Sequence, residues 1–108
     1  MKRGEFWTVA GAGYTGKPRP ALIIQSNAFD GTGSLTMIPT TTYEIDAPAF
    51  RIPVAADRVS GLSQDCFLML DKITTVKKHQ IGAYIGRAPS ATITQTNRAL
   101  ATFLGIAG

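Results

Sequence analysis

The sequence predicts a mainly β domain, a small barrel or strongly bent sheet, with one helix packed against it at the C-terminal end. Short β-rich segments recur along most of the chain, and turns rich in glycine and proline separate them. After Pro89 the spacing of the apolar residues changes to that of a helix. The chain has 108 residues, a length typical of one domain, which we assign to 1–108.

The predicted strands follow one another closely. The first is 5–10, and a glycine-rich loop at 11–16 follows it. The second, 19–26, is almost continuously apolar, as is typical of a strand buried on both faces. Glycines and Asp30 predict a turn within 27–34, and Gly61 predicts another at 61–63. Further strands are predicted at 35–39, 49–54, 66–70 and 72–76, and one helical turn within 78–84.

The last segment predicts the helix. Ser90 follows Pro89 and is expected to be its N-cap. One face is apolar, with Phe103 beside it, and consists of Ile93, Leu100, Ala101 and Leu104. Gly105 is expected to end the helix.

Residues 11–17, Gly-Ala-Gly-Tyr-Thr-Gly-Lys, match both a dinucleotide-binding fingerprint and the beginning of a P-loop. Both motifs need a helix that begins at the glycines, so that its amides hold phosphate. Here Pro18-Arg19-Pro20 and an apolar strand follow, and Pro18 stands where a P-loop needs a metal-binding hydroxyl. The glycines therefore predict a hairpin loop.

Arg19 lies between two prolines at the predicted beginning of the second strand. Proline fixes its own φ and restricts the residue before it, so Arg19 lies on a stiff backbone that can aim its cation at a ligand. The net charge of +4 favours an anionic partner only weakly, because the cations are dispersed along the chain.

Composition limits the other kinds of site. One cysteine and one histidine provide neither a metal-ligand cluster nor a supported Cys–His pair, so we expect no metal and no cofactor. Cys66 lies in an apolar run and is expected to be a buried, inert thiol. No apolar run could span a bilayer, and Glu5 interrupts any signal segment after Lys2-Arg3. We therefore expect a cytoplasmic protein without a membrane partner.

Five segments occur in an order that resembles one protein family. They are Lys-Arg-Gly-Glu-Phe-Trp at 2–7, Gly-Lys-Pro-Arg-Pro-Ala-Leu-Ile-Ile-Gln-Ser at 16–26, Ile-Pro-Thr-Thr-Thr at 38–42, Leu-Asp-Lys-Ile-Thr-Thr-Val-Lys at 70–77 and Leu-Ala-Thr-Phe-Leu-Gly-Ile at 100–106. Together they resemble the MazF/PemK toxins of bacterial type II toxin–antitoxin systems over nearly the whole chain.

The resemblance implies an SH3-like β-barrel with a C-terminal helix, working as a homodimer. It implies a metal-independent, sequence-specific endoribonuclease that cleaves single-stranded mRNA. A cognate antitoxin would hold it inactive by covering the RNA groove with its C-terminal segment. The family's catalytic arginine falls on Arg19 and its catalytic threonine or serine on Thr41, with Thr42 beside it.

Three departures from the family pattern are visible. The loop before Arg19 is short, and Thr40 replaces the usual apolar residue before the catalytic threonine. Met69 stands where some relatives have an arginine that takes part in the chemistry, two residues before the aspartate. This last change weakens the transfer of a role to Asp71.

The residue types suit RNA cleavage by the substrate's own 2′-hydroxyl, a group that DNA lacks. The planar guanidinium of Arg19 can donate two hydrogen bonds to a phosphorane, but a guanidinium has no acceptor and suits general-base work poorly. Thr41 can donate a hydrogen bond to the phosphate or to the leaving oxygen. Without the resemblance, a surface arginine and a β-prone threonine would be the simpler interpretations.

Four further residues are candidates for RNA binding: Lys17, Thr42, Asp71 and Lys77. Lys17 could hold a neighbouring phosphate or simply be solvated in a loop. Asp71 could orient Arg19, although a structural role is favoured, and Lys77 could steer RNA or mark a solvated surface. His79 is of a residue type that often acts as a general base, but it has no partner visible in the sequence.

Two other functions remain open at this point. A non-enzymatic toxin on the same fold could inhibit a protein such as DNA gyrase, although it would need neither Arg19 nor Thr41. A binding module with an SH3-like fold would need an exposed aromatic groove, and most aromatics of this chain lie in apolar runs.

Overall fold

The computed structural model describes residues 1–11 and 14–106 and contains seven strands and one α-helix within them. Short 3₁₀ turns lie at Asn27–Phe29, Leu70–Lys72 and Lys78–Gln80. The strands are β1 Glu5–Gly11, β2 Tyr14–Ile23, β3 Ser34–Thr41, β4 Arg51–Val54, β5 Cys66–Met69, β6 Thr74–Lys77 and β7 Ile81–Arg87, and the helix is α1, Ser90–Phe103. The predicted class, mainly β with a C-terminal helix, is confirmed.

The strands form one antiparallel sheet in the order β4-β5-β3-β2-β1-β7, and β6 also pairs with β3. Along one edge β3 has two successive partners, since 34–37 pair with β6 and 40–41 pair with β5. This change of partner is consistent with the predicted barrel-like shape. In the part of the chain that is described, no pairing joins β4 to β7, so the sheet remains open.

Both faces of the central strands are buried. Leu22, Ile38 and Leu68 pack on one face with Leu100 of α1. Val9, Ile23 and Met37 belong to a second cluster, together with Ala21, Leu35, Val76 and Ile81. Successive residues of β2 therefore enter different clusters, which confirms the prediction of a strand covered on both faces.

The second strand begins earlier than predicted. β2 starts at Tyr14 and pairs with β1 from Gly11↔Tyr14 to Phe6↔Leu22, so Arg19 lies inside a hairpin strand rather than at its beginning. The hairpin itself agrees with the prediction, although 12–13 lie outside the described residues. The strand also ends at Ile23 instead of 26. Pairing with β1 carries the strand through Gly16, Lys17 and Pro18, residue types that are depleted in strands.

The helical turn predicted within 78–84 is present only at Lys78–Gln80. Residues 81–84 belong instead to β7, where Ile81 pairs with Val9 and Tyr84 with Trp7. The prediction of one helical turn within 78–84 is therefore confirmed, and long-range pairing with β1 places the residues after it in a strand.

The helix agrees with the prediction except at its first residue and on its apolar face. Ser90 is the first helical residue, and Pro89 takes the N-cap position without a side-chain hydrogen bond. Thr96 and Leu100 are buried, whereas Leu104 is 50% exposed because the helix ends at Phe103.

Gly105 ends the helix as expected, with a φ of +74°. The N–H of Gly105 donates to the carbonyl of Thr102 at 3.1 Å, and the N–H of Ile106 donates to that of Ala101 at 2.9 Å. These two bonds form a Schellman motif, which satisfies carbonyls that the helix leaves free.

Candidate active site

The register of β2 against β3 brings Arg19 and Thr41 together. Ala21 pairs with Pro39 and Leu22 with Ile38. Arg19 is two residues before Ala21 and Thr41 is two residues after Pro39, so each lies on the same face of its strand as the paired residue. Two residues that are 22 positions apart in the sequence therefore lie beyond the same end of this pairing.

The prolines at this end of the ladder have no N–H to donate, and a side chain supplies a hydrogen bond between the strands. The hydroxyl of Thr40 donates to the carbonyl of Pro20 at 2.7 Å. Thr40 is the residue that replaces an apolar one in the family pattern, and it is buried here. Its hydroxyl links β2 to β3 just beyond the last paired residues, next to Arg19 and Thr41 in the sequence.

A groove of about 440 Å³ lies where the pairing of β2 with β3 ends. It brings together four of the six predicted site residues: Lys17, Arg19, Thr41 and Thr42. The other lining residues are Pro18, Pro20, Thr40, Leu62, Ser63, Gln64 and Cys66. This lining is cationic and rich in hydroxyls, and it contains no carboxylate, which suits an anionic ligand.

The two predicted catalytic groups are accessible but held differently. Arg19 is exposed, and its guanidinium forms no ion pair or hydrogen bond with the residues that the structure describes. The Thr41 hydroxyl oxygen accepts a hydrogen bond from the Tyr43 N–H at 3.1 Å. This bond holds the oxygen and leaves the hydroxyl proton available for a ligand.

Cys66 lines the inner part of the groove and is buried, as predicted. Burial raises the pKa of its thiol to about 11, and the charge of Asp65 adds to this, against the opposing effect of a hydrogen bond with Thr40. The thiol is therefore protonated at neutral pH and is a poor nucleophile.

Asp71 and Lys77 do not line this groove. The Asp71 carboxylate accepts two hydrogen bonds from Arg51, at 2.9 Å from Nε and at 3.1 Å from Nη2. These bonds lower the pKa of Asp71 against an opposing effect of burial. Asp71 therefore orients Arg51 and not Arg19, which agrees with the structural role favoured from the sequence.

Lys77 is exposed at the end of β6, and His79 is exposed in the following 3₁₀ turn. His79 is not among the residues that line the groove. The general-base interpretation of His79 thus gains no support from its position.

Ser63 and Gln64 line the groove, but no motif pointed to them in the sequence. Gly61 signalled only that a turn lies there, since a local turn signal does not tell which strand ends the turn will face. The tertiary structure places this turn at the groove that Arg19 also lines.

Among the described residues, no helix is long and apolar enough to cross a membrane.

Comparison with known proteins identifies the family to which this chain is similar. Residues 2–104 match the family described as PemK-like, MazF-like toxin of type II toxin-antitoxin system. The chain belongs to this family. A MazF/PemK-family relative from Mycolicibacterium smegmatis, named "Probable endoribonuclease MazF", is 48% identical over 100% of both chains. "Endoribonuclease MazF4" of Mycobacterium tuberculosis is 32% identical, over 82% of this chain and 80% of its own.

Solved structures of the family share the fold. A mycobacterial endoribonuclease in complex with its cognate antitoxin superposes with a TM-score of 0.81 at 29% identity and covers 100% of this chain and 98% of its own. A crystal structure of MazF from Deinococcus radiodurans superposes with a TM-score of 0.80 at 20% identity, over 97% of this chain and 96% of its own. The open, barrel-like sheet with its C-terminal helix is therefore the MazF-like fold.

Proposed function

We propose that this MazF/PemK-family toxin is a sequence-specific, metal-independent endoribonuclease that cleaves single-stranded mRNA. The observation that carries the proposal is that Arg19 and Thr41 line the same groove. These are the two positions on which the catalytic residues of the family pattern fall. The full-length similarity to a relative named as a probable endoribonuclease supports it.

The reaction uses a hydroxyl of the substrate as nucleophile. The 2′-oxygen attacks the neighbouring phosphorus, its proton passes to water, and the bond to the 5′-oxygen breaks. The products are a 2′,3′-cyclic phosphate and a 5′-hydroxyl, whose proton comes from water, either directly or through the Thr41 hydroxyl, which takes up a proton from water as it donates its own. The chemistry thus needs hydrogen-bond donors that stabilise a doubly charged phosphorane.

Arg19 supplies the main electrostatic stabilisation. Its guanidinium is exposed in the groove and can donate in parallel to two non-bridging oxygens. Thr41 donates to the phosphate or to the leaving oxygen, since the bond from Tyr43 occupies its acceptor side. Both groups act without a metal, because the lining supplies cations and hydroxyls rather than carboxylate ligands.

Lys17 and Thr42 are proposed to hold the RNA backbone at the rim of the groove, where both are exposed. Lys77 and Asp71 lie outside the groove, and their contact with RNA remains a prediction for a longer substrate. We further propose a cytoplasmic homodimer neutralised by a cognate antitoxin. An acidic antitoxin segment would suit a chain of net charge +4, and a solved relative is described in complex with its cognate antitoxin.

The test uses purified protein, mixed single-stranded RNA and EDTA. We expect fragments at defined sequences that end in a cyclic phosphate, and no cleavage by Arg19→Ala. Arg98→Ala is the matched control, because Arg98 is exposed on α1 and lines a different depression. Intact RNA with wild-type protein would contradict the proposal, and blocked supercoiling by DNA gyrase in the same preparation would support the non-enzymatic alternative.

A further inference from the structure

Residues 55–65 connect β4 to β5, and three of them, Leu62, Ser63 and Gln64, line the groove; we name this segment the groove loop. The N–H of Ala56 donates to the Asp65 carboxylate at 2.7 Å, which joins the two ends of the loop. The loop is also anchored below by Leu62, which is buried in the core cluster.

Inside the loop, polar side chains satisfy the backbone. The Asp57 carboxylate accepts from the N–H groups of Val59 at 2.9 Å and Ser60 at 2.8 Å. Ser60 is fully buried, and its hydroxyl donates to the carbonyl of Ala55 at 2.8 Å. The same hydroxyl accepts from the N–H groups of Asp57 at 3.2 Å and Leu62 at 3.3 Å. These bonds restrict the loop to one conformation.

Two glycines allow the backbone of the groove loop to contact the backbone of β7. A Cβ at Gly86 would lie 2.2 Å from the carbonyl oxygen of Ser60, and a Cβ at Gly61 would lie 2.1 Å from that of Ile85. Gly61 also has a φ of +68°. The N–H of Arg87 donates to the carbonyl of Val59 at 2.9 Å across this contact. The backbones can approach this closely only because neither glycine has a side chain.

Two side chains near the end of the groove loop take no part in these hydrogen bonds. Ser63 and Gln64 are exposed and line the groove. Neither side chain forms a hydrogen bond with the described part of the protein, in contrast to Asp57, Ser60 and Asp65 of the same loop. A rigid support that presents free polar groups to a ligand site lowers the entropy lost on binding.

Most of the other polar residues of the lining already have a proposed ligand. Arg19, Lys17 and the threonines are assigned to phosphate and sugar, contacts that position a nucleic acid but carry no base information. Among the described residues that line the groove, Gln64 is the only carboxamide. A carboxamide presents a donor and an acceptor side by side, which can pair with the edge of a nucleobase.

We infer that Gln64 is a specificity-determining residue that reads the Watson–Crick edge of a base next to the scissile phosphate. This inference rests on the proposed ribonuclease function and deepens it. The groove loop holds the Gln64 backbone in place at the groove that Arg19 and Thr41 also line, so that one base position is read in a constant place. Single-stranded RNA makes this edge available, because its bases are unpaired.

The test maps the 5′-hydroxyl ends that each protein generates from a mixed single-stranded RNA. Gln64→Ala is expected to lose preference at one base position of the cleavage sequence by roughly tenfold to a hundredfold, because its pair with the correct base is lost. Cleavage at sites with other bases there should stay within about twofold. The matched control is Gln95→Ala, an exposed glutamine on α1 outside this groove, which should keep the wild-type pattern.

A second variant is expected to change the preferred base instead of removing the base preference. In Gln64→Glu both carboxylate oxygens only accept hydrogen bonds, which suits the neighbouring N1–H and N2–H donors of guanine. We expect the preference at the same position to shift towards guanine.

The outcomes separate the two proposals. A wild-type pattern in Gln64→Ala, or an equal loss at every site, would overturn the role of Gln64 while wild-type cleavage upholds the proposed function. Wild-type protein that leaves every RNA intact would overturn the proposed function and this inference with it.

Discussion

The ion pair between Arg51 and Asp71 provides a quantitative test of the structural role of Asp71. The replacement Asp71→Asn keeps the shape of the side chain and removes its charge. The Arg51 side chain is only 9% exposed, whereas that of Asp71 is 24% exposed. Breaking a buried pair costs about 3–5 kcal/mol, and an exposed pair contributes about 0–1 kcal/mol. We therefore expect a loss of about 2 kcal/mol in the free energy of unfolding at pH 7.

This loss should lower the urea midpoint by about 1 M and the melting temperature by about 10 °C. The pH dependence of the free energy of unfolding shows whether the charge of Asp71 causes this loss of stability. The hydrogen bonds from Arg51 hold the pKa of Asp71 below its usual range in the folded protein. Its contribution to stability is therefore complete above the unfolded pKa of about 4 and is lost as the pH falls through the folded pKa.

Urea unfolding of wild type and Asp71→Asn at pH 7 and at pH 3 measures both effects. The difference between the two proteins should be clear at pH 7 and should shrink on acidification. Asp46→Asn is the control, since Asp46 is exposed and forms no ion pair with the described residues. Equal midpoints at pH 7, or a difference that persists unchanged at pH 3, would refute this account of the pair.

Four further outcomes are expected. Arg19→Ala should lower the cleavage rate by at least about 10²-fold, measured in single turnover, with its melting temperature unchanged. Thr41→Ser should keep much of the activity in that assay, and Thr41→Ala should lose more, though less than Arg19→Ala. Gly86→Ala should cost about 1–3 kcal/mol in urea unfolding, because its Cβ would lie 2.2 Å from a carbonyl oxygen. Cys66 should react slowly with iodoacetamide at pH 8 when folded and rapidly when unfolded, because burial raises its pKa to about 11.

Local patterns in the sequence predict much of the fold. The apolar runs at 35–39 and 66–70 correspond to β3 and β5, each within about two residues. The helix and its end at Gly105 follow from spacing and from the conformational freedom of glycine. These features depend on neighbours in the chain, so the order of the residues is enough to identify them.

The flanking prolines point to Arg19 as a cation that can be aimed at a ligand, but they do not give it a reaction. The catalytic roles of Arg19 and Thr41 come from the resemblance, because a surface arginine and a β-prone threonine carry no local signal of chemistry. Gln64 and the pairing of Asp71 with Arg51 were not predicted. Each depends on a turn or a strand that other parts of the chain position.

The amino-acid sequence by itself determined the fold class, the helix, the hairpin loop and the buried thiol, since periodicity, turn chemistry and composition are local properties. Only the tertiary structure decided that β2 begins at Tyr14, that 81–87 form a strand, and that Arg19, Thr41 and Gln64 line one groove. The physical reason is that strand register and backbone contacts such as those at Gly61 and Gly86 join residues far apart in the chain. No segment of the sequence specifies its partner by itself.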